Sequence, residues 1–338
     1  MSGMNTPEST EPGNADHAHT IRNGEDWIDV DGHPIEAHDG GVSRFDGIWH
    51  WYGTSYVNTP GGEYGAKAAR LNPGINVYTS SDLARWKHAG IALAYPESGW
   101  GAEGTIGRAH VIFNAGTRQY VMWCFHYATA YPDVMATVSV ADAPTGPFRI
   151  LGPRATGAPP ATWRSGGPAG SAQDLNVFRD DDGAAYLVYD DGSRNIRVDH
   201  LTDDYLDCTG ESVVALEAVH EAPAMIRFRD RYVVAGSGVA GWGPTETHGA
   251  VAKSPMGPYG PKHCMTEQKT WGSQITAFFH VSESDNVVCM CDQWWIPDRK
   301  NLNRSRYLWL PLHVDPGTDT ARLSYRDAWD PFHKAISH

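Results

Sequence analysis

Five stretches of the chain repeat one alternation of polar and hydrophobic positions. Each begins with a polar residue, continues as a short apolar run, turns on Asn, Asp or Gly, and ends in a strand rich in β-branched or aromatic residues. They are DGGVSRFDGIWHWYGT from Asp39, RAHVIFNAGTRQYVMW from Arg108, DLNVFRDDDGAAYLVYD from Asp174, EAPAMIRFRDRYVVAGS from Glu221 and QITAFFHVSESDNVVCMC from Gln274. Two short β-prone runs around such a turn read as a hairpin. Further strand signals follow three of them: INVYTSSDLARWKHAG from Ile75, VSVADAPTGPFRI from Val138 and GAVAKSPMGPYG from Gly249. A hairpin followed by two outer strands, repeated five times, predicts an all-β fold, a five-bladed β-propeller, in which radial repetition leaves only short, protected sheet edges. A β-sandwich would leave the fivefold repetition without a reason.

The repeat also sets the expected boundaries. Residues 1–24 are polar and acidic without periodicity and read as a disordered tail, leaving residues 25–338 as a single propeller domain. Gly152–Gly170 has the composition of a linker, but the pattern resumes on both sides of it, so it reads as a long loop between blades. Composition agrees with this picture. Hydrophobic residues make up 41% of the chain, enough for a large core, and 36 Gly with 22 Pro suit many tight turns.

Charge narrows the function classes. A net charge of −13 disfavours nucleic acid and other polyanions, whose binding needs clustered Lys and Arg. No apolar run approaches the ~18–20 residues of a membrane span. The N-terminal residues lack the apolar core of a secretion signal, which predicts a cytoplasmic protein unless a native signal is missing from this sequence. Five cysteines form no Cys-x-x-Cys pair. Cys289 and Cys291 fall on one face of a single strand, where a disulfide fits poorly, so buried reduced thiols are expected.

In each repeat a polar residue stands 10 to 13 positions before the anchor of the second strand: Asp39 before Trp49, Arg108 before Tyr120, Asp174 before Tyr186, Glu221 before Tyr232 and Gln274 before Val287. Equivalent positions on radial blades form a ring, so these five side chains are expected to converge at one mouth of the central channel. Three are carboxylates. Hydrolysis of a glycosidic bond needs one protonated carboxyl for the leaving oxygen and one ionised carboxylate for water. A third carboxylate nearby raises the acid's pKa by like-charge repulsion. Asp180, Asp181 and Asp182 sit in a hairpin turn and read as solvated turn residues.

The segments HDGG…GIWHWYGT, QDLNVFRDDDGAAYLVY and HEAPAMIRFRDRYVVAGS resemble, in order, three signature blocks of glycoside hydrolase family 43, and the resemblance spans roughly residues 26–315. It implies a five-bladed propeller and inverting, usually exo-acting hydrolysis of arabinose-, xylose- or galactose-containing glycans. It further implies Asp39 as general base, Asp174 as the residue that tunes and orients the acid, and Glu221 as general acid. Within the family, DVDGHPIEAHDGG, EAPAM, SGVAGWGP, WGSQITAF and SRYLWLPL are most similar to the exo-β-1,3-galactanase-like branch. That branch usually has Gly at the position of Asp39, relies on a Gln corresponding to Gln274, and carries Glu at the positions of Thr54 and Gly107. A base Asp on this frame gives the expectation of terminal α-L-arabinofuranose as substrate. Exo-β-1,3-galactanase or galactosyl/galactofuranosyl hydrolase activity is the alternative, and a non-catalytic glycan-binding propeller is the alternative of another class.

Six residues are expected to bind the sugar: His38 beside the base, Trp51, Arg108, Trp242 in the Gly-rich GVAGWGP loop, Gln274 and Trp294. Aromatic faces such as these stack on the apolar faces of sugar rings, and Trp295 is a further candidate. No cofactor is required. His110 and His126 are candidates to line a structural calcium site in the channel, which some members of the family hold, although no metal-ligand spacing is present.

Overall fold

Short, turn-bounded runs rich in β-branched and aromatic residues make each repeat a hairpin whose strands are buried on both faces, and each hairpin grows outward into a four-stranded antiparallel sheet. The computed structural model describes residues 19–56, 74–94, 105–127, 134–160, 169–218, 220–294, 297 and 302–333. A two-residue strand, β1 (Ile21–Arg22), precedes the first blade, which contains β2 (His38–Phe45), β3 (Ile48–Thr54), β4 (Gly74–Ser80) and β5 (Lys87–Ala94). The second has β6 (Thr105–Asn114), β7 (Gln119–Tyr127), β8 (Met135–Ala141) and β9 (Arg149–Arg154). The third has β10 (Leu175–Arg179), β11 (Ala185–Asp190), β12 (Ile196–Leu201) and β13 (Cys208–Leu216). The fourth has β14 (His220–Phe228), β15 (Arg231–Gly238), β16 (Thr247–Ala252) and β17 (His263–Cys264), and the fifth has β18 (Gln274–Val281), β19 (Asn286–Gln293), β20 (Arg306–Asp315) and β21 (Thr320–Leu323). Within each blade the strands pair in chain order, and the innermost strands β2, β6, β10, β14 and β18 touch in a closed cycle. This is the five-bladed propeller expected from the repeat.

Ring closure does not borrow a strand for the last blade. Instead β1 pairs antiparallel with β22 (Ala328–Trp329), joining the two ends of the propeller, and Asn23 donates to the carbonyls of Trp309 and Arg326. The tail expected to run to residue 24 therefore gives way at Ile21, which is fully buried; residues 1–18 lie outside the described residues. The Gly152–Gly170 segment links the second blade to the third, but its first three residues complete β9. At the hairpin-turn end, Arg44 pairs with Glu283, Arg227 with Asp180 and Arg231 with Asp319, each across a blade boundary. The exposed Arg44–Glu283 pair contributes at most about 1 kcal/mol, whereas Asp180, expected as a solvated turn residue, is buried and also accepts from the Tyr232 hydroxyl.

The apolar seams between blades explain Trp51. It lies wholly buried among Trp27, Tyr78, Trp86, Tyr307 and Trp309, between the first and fifth blades. Its expected contact with sugar is corrected: in IWHWYGT the alternate residues Trp49 and Trp51 point into one seam, so its 0% exposure follows from strand periodicity. All five cysteines are free thiols, with Cys289 and Cys291 buried and their sulfurs 3.8 Å apart, whereas Cys264 is exposed.

Candidate active site

Four inner strands slip in register, β18 between Ile275 and Ala277, and three of them, β2, β6 and β14, share one form of the irregularity. The ladder slips by one residue between His38 and Gly41, between Gly107 and His110, and between Glu221 and Ala224. In each case a non-glycine residue enters the left-handed region: Asp39 (φ 52), Arg108 (φ 51) and Ala222 (φ 55). Bulges re-aim side chains, and strained backbone of this kind concentrates where function over-determines it. The bulge register refines the expected ring. Asp39 and Arg108 are equivalent, but Glu221 stands one residue earlier, at the position of His38 and Gly107. Asp174 immediately precedes β10, and Gln274 opens β18.

Each bulge amide is held by a carboxylate of the preceding blade. Asp292 accepts the Asp39 N–H (2.6 Å), Asp39 Oδ1 accepts the Arg108 N–H (3.1 Å), and Asp174 Oδ2 accepts the Ala222 N–H (3.0 Å). Asp190 in turn accepts the Asp174 N–H (2.5 Å). The acids therefore build the backbone on which their neighbours sit.

All five ring residues meet. Arg108 is buried, with Nε 3.0 Å from Asp174 Oδ1 and Nη2 3.3 Å from Gln274 Oε1. Gln274 Nε2 donates to Glu221 Oε1 (3.1 Å), and Trp294 Nε1 donates to Gln274 Oε1 (2.9 Å). Arg194 lies 3.5 Å from Glu221 Oε2 and also pairs with Asp190. A left-handed turn over Gln268–Trp271 leads into Gln274 and is held by Thr270, which hydrogen-bonds Thr247, Thr266 and the Thr245 carbonyl.

The two outer members of this network differ in environment. Burial, reinforced by Asp174, pushes Glu221 up to about 7, with Arg194 and Arg108 opposing. Burial also raises Asp39, to about 6; Arg108 and the hydrogen bonds from Tyr56 and the Arg108 amide restrain it, and Asp292 adds to the rise. Asp39 is 3% exposed and accepts from Thr54 Oγ1 (2.9 Å), the Arg108 amide and the Tyr56 phenol. A carboxyl protonated near neutral pH and a second one ionised just below it can act as acid and base.

The three positions that depart from the galactanase-like pattern fall at one place. Thr54 donates to Asp39 Oδ1, and a Cβ built on Gly107 would lie 3.0 Å from Asp39 Oδ2 and 2.7 Å from the Phe125 ring. Asp39 thus occupies space that longer side chains at 54 or 107 would enter.

The expected sugar contacts divide. Trp242 is half-exposed and packs edge-on against Trp294 with centroids 4.5 Å apart, and Tyr56 meets both rings at 5.9 Å. These form an aromatic wall beside the acids; Trp295 lies outside the described residues. His38 lies behind this wall, with Tyr56 and Trp294 at 6.2 and 5.9 Å. It is 0% exposed, stacks on Tyr307 and has Nδ1 3.6 Å from Asp292, so its expected contact with substrate is corrected to a buried support under the bulge. Sequence reasoning missed Tyr56, Asp190, Arg194 and Asp292. Asp190 ends and Asp292 nearly ends the second strand of a hairpin, a position the repeat could have marked.

His110 and His126 are both buried, and His110, pushed down to about 3 by burial and by Arg108, is a neutral imidazole whose Nε2 has no hydrogen-bond partner among the described residues. Calcium takes an oxygen-rich, anionic shell, and no three His, Cys, Asp or Glu side chains gather as a metal site among the described residues. No helix among the described residues is long and apolar enough to cross a membrane.

Comparison with known proteins gives a consistent picture. The model of glycosyl hydrolases family 43 matches residues 46–304. A family 43 β-1,3-galactosidase solved with galactodeoxynojirimycin is 28% identical, with 92% of this chain and 100% of that one covered and a TM-score of 0.80. An exo-β-1,3-galactanase from Phanerochaete chrysosporium, solved with galactose, is 27% identical, covering 92% of this chain and 68% of that one at a TM-score of 0.76. An exo-β-1,3-galactanase from Clostridium thermocellum is 25% identical, covering 94% and 68% at a TM-score of 0.81. No match is found among curated proteins.

Proposed function

The chain belongs to glycosyl hydrolase family 43, and from that premise we propose that it is an exo-acting hydrolase of terminal β-1,3-linked galactose that works by a single displacement with inversion. Its substrate is a carbohydrate, as for the family. Galactose takes precedence over the arabinofuranose suggested by Asp39, because the similar proteins act on β-1,3-galactosides and the frame around the site resembles theirs along nearly the whole chain.

The observation that carries the mechanism is the connection of Asp39 to Glu221 through Arg108 and Gln274, with no hydrogen bond between the two carboxyls among the described residues. Asp39 holds the Arg108 backbone amide while the Arg108 guanidinium reaches Asp174 and Gln274, so base and acid are linked through Arg108 rather than to each other, in keeping with an inverting pair, whose usual separation is about 6.5–9.5 Å. Glu221 gives its proton to the glycosidic oxygen, and the Gln274 amide orients its carboxyl. Asp174 keeps that proton in place by its negative charge and fixes the adjacent Ala222 amide. Asp39 receives the proton of the water that attacks the anomeric carbon from the opposite face. Trp242 and Trp294 supply a wall for the sugar ring.

The test is a substrate panel: β-1,3-galactobiose, p-nitrophenyl β-D-galactoside, α-L-arabinofuranoside and β-D-xyloside. Release of galactose from the disaccharide, at a kcat/KM well above that on the arabinofuranoside, is the expected result. Preferential release of arabinose would replace the galactosyl reading, and inertness toward every glycoside would favour a binding module.

A further inference from the structure

Asp39 is the base in the reading above, yet its carboxylate has little room for water. Both lone pairs of Oδ1 are used, by Thr54 Oγ1 (2.9 Å) and the Arg108 amide (3.1 Å). One flank of Oδ2 is walled by the Gly107 backbone and the Phe125 ring, which leave no space even for a Cβ on Gly107. The other flank receives the Tyr56 phenol. Asp39 itself is 3% exposed, whereas Tyr56 is only partly buried and borders the Trp242–Trp294 wall. The backbone that carries Tyr56 is fixed as well, because Asn303 Oδ1 accepts the Tyr56 amide (2.6 Å) and Asn303 Nδ2 donates to Ser55 Oγ (3.4 Å). Tyr56 thus stands in contact with Asp39 through its hydroxyl and with the Trp242–Trp294 wall through its ring.

We infer that Tyr56 is a catalytic relay, passing the proton of the attacking water to Asp39. As the water oxygen bonds to the anomeric carbon, its O–H bond breaks and the proton moves to Tyr56 Oη. The phenolic proton moves simultaneously to Asp39 Oδ2, so the phenol ends the step neutral and Asp39 ends it protonated. The glycosidic C–O bond breaks with its electron pair going to the leaving oxygen, which takes the Glu221 proton. Asp39 later returns its proton to solvent through the same hydroxyl. This inference rests on the assignment of Asp39 as base and adds the residue through which that base reaches water.

Tyr56→Phe and Asp39→Ala are compared with the parent enzyme on 2,4-dinitrophenyl β-D-galactoside, whose leaving group needs no acid, with and without sodium azide. Azide attacks as an anion and needs no base. The relay predicts a kcat loss of about 10²–10³-fold in Tyr56→Phe, in the range of general-base catalysis. It also predicts that azide restores turnover in both variants, with α-galactosyl azide as product, while Tm and galactose affinity of Tyr56→Phe stay near the parent's. Tyr56→Phe activity within threefold of the parent overturns the relay, and so does a loss that azide does not restore, since a merely structural defect has no reason to respond to a nucleophile. Near-full activity of Asp39→Ala overturns the base assignment itself, and the relay with it.

Discussion

The first and fourth blades open with the same bulged strand and use it differently. In the first, the left-handed residue is itself the acid: Asp39 turns inward, is enclosed by the Thr54, Tyr56 and Arg108 donors, and pins the next blade's bulge. In the fourth, the left-handed residue is Ala222, and the acid stands one position earlier. Glu221 there accepts from the Gln274 amide, lies 3.5 Å from Arg194 and faces Asp174. Burial raises both carboxyls and each has a restraining arginine and a neighbouring carboxylate, but the order differs: after burial, Arg108 and the hydrogen bonds from Tyr56 and the Arg108 amide act most on Asp39 and restrain it, whereas Asp174 acts most on Glu221 and raises it further. One residue of displacement along the same bulge therefore separates a base from an acid.

Substitution at the two positions should break the symmetry most visibly. Asp39→Asn is expected to lower kcat by about 10³–10⁴-fold on every substrate whatever the leaving group, because water activation is common to all. Glu221→Gln should cost about 10³-fold on β-1,3-galactobiose but only about tenfold on a dinitrophenyl glycoside, whose leaving group needs no proton. A leaving-group dependence in Asp39→Asn, or its absence in Glu221→Gln, would reverse the two roles.

A second contrast sets two tryptophans against each other. Trp51→Ala, in the seam of the first blade, should cost about 3–5 kcal/mol of stability, seen as a lowered denaturation midpoint. Trp242→Ala, on the half-exposed loop of the fourth blade, should leave the midpoint unchanged and raise KM about tenfold, the loss of one stacking partner. Equal effects on stability would show that Trp242 is also a packing residue.

The smallest effect is the pH profile. Turnover needs Asp39 ionised, so activity falls as pH drops through about 6, and needs Glu221 protonated, so activity falls as pH rises through about 7. A narrow bell in kcat/KM centred between these values is expected. In Glu221→Gln the alkaline limb should disappear while the acidic limb remains; loss of the acidic limb instead would exchange the assignments.

The hairpins, the five blades and the meeting of Asp39, Arg108, Asp174, Glu221 and Gln274 were legible in the sequence, because strand periodicity and turn residues are local signals. The one-residue offset of Glu221 was not, since a bulge is a property of the ladder and leaves no mark in a run such as EAPAM. Trp51 and His38 were misassigned for a related reason. Adjacency to the signature block says nothing about which face a side chain takes, and both faces of β3 and the start of β2 are buried against other blades. Asp292 meets Asp39 only because the ring closes, whereas Tyr56, Asp190 and Arg194 act through contacts within their own blade or with the next one, at loop and strand-end positions whose side-chain direction the sequence pattern does not specify.

The central claim is a single displacement in which Glu221 is the acid and Asp39 the base. Proton NMR during the first minutes of β-1,3-galactobiose hydrolysis tests it most directly. The α-anomer of the galactose released from the non-reducing end should appear first and then mutarotate toward the β-anomer. Initial appearance of the β-anomer would mean retention through a covalent intermediate, and would contradict the account.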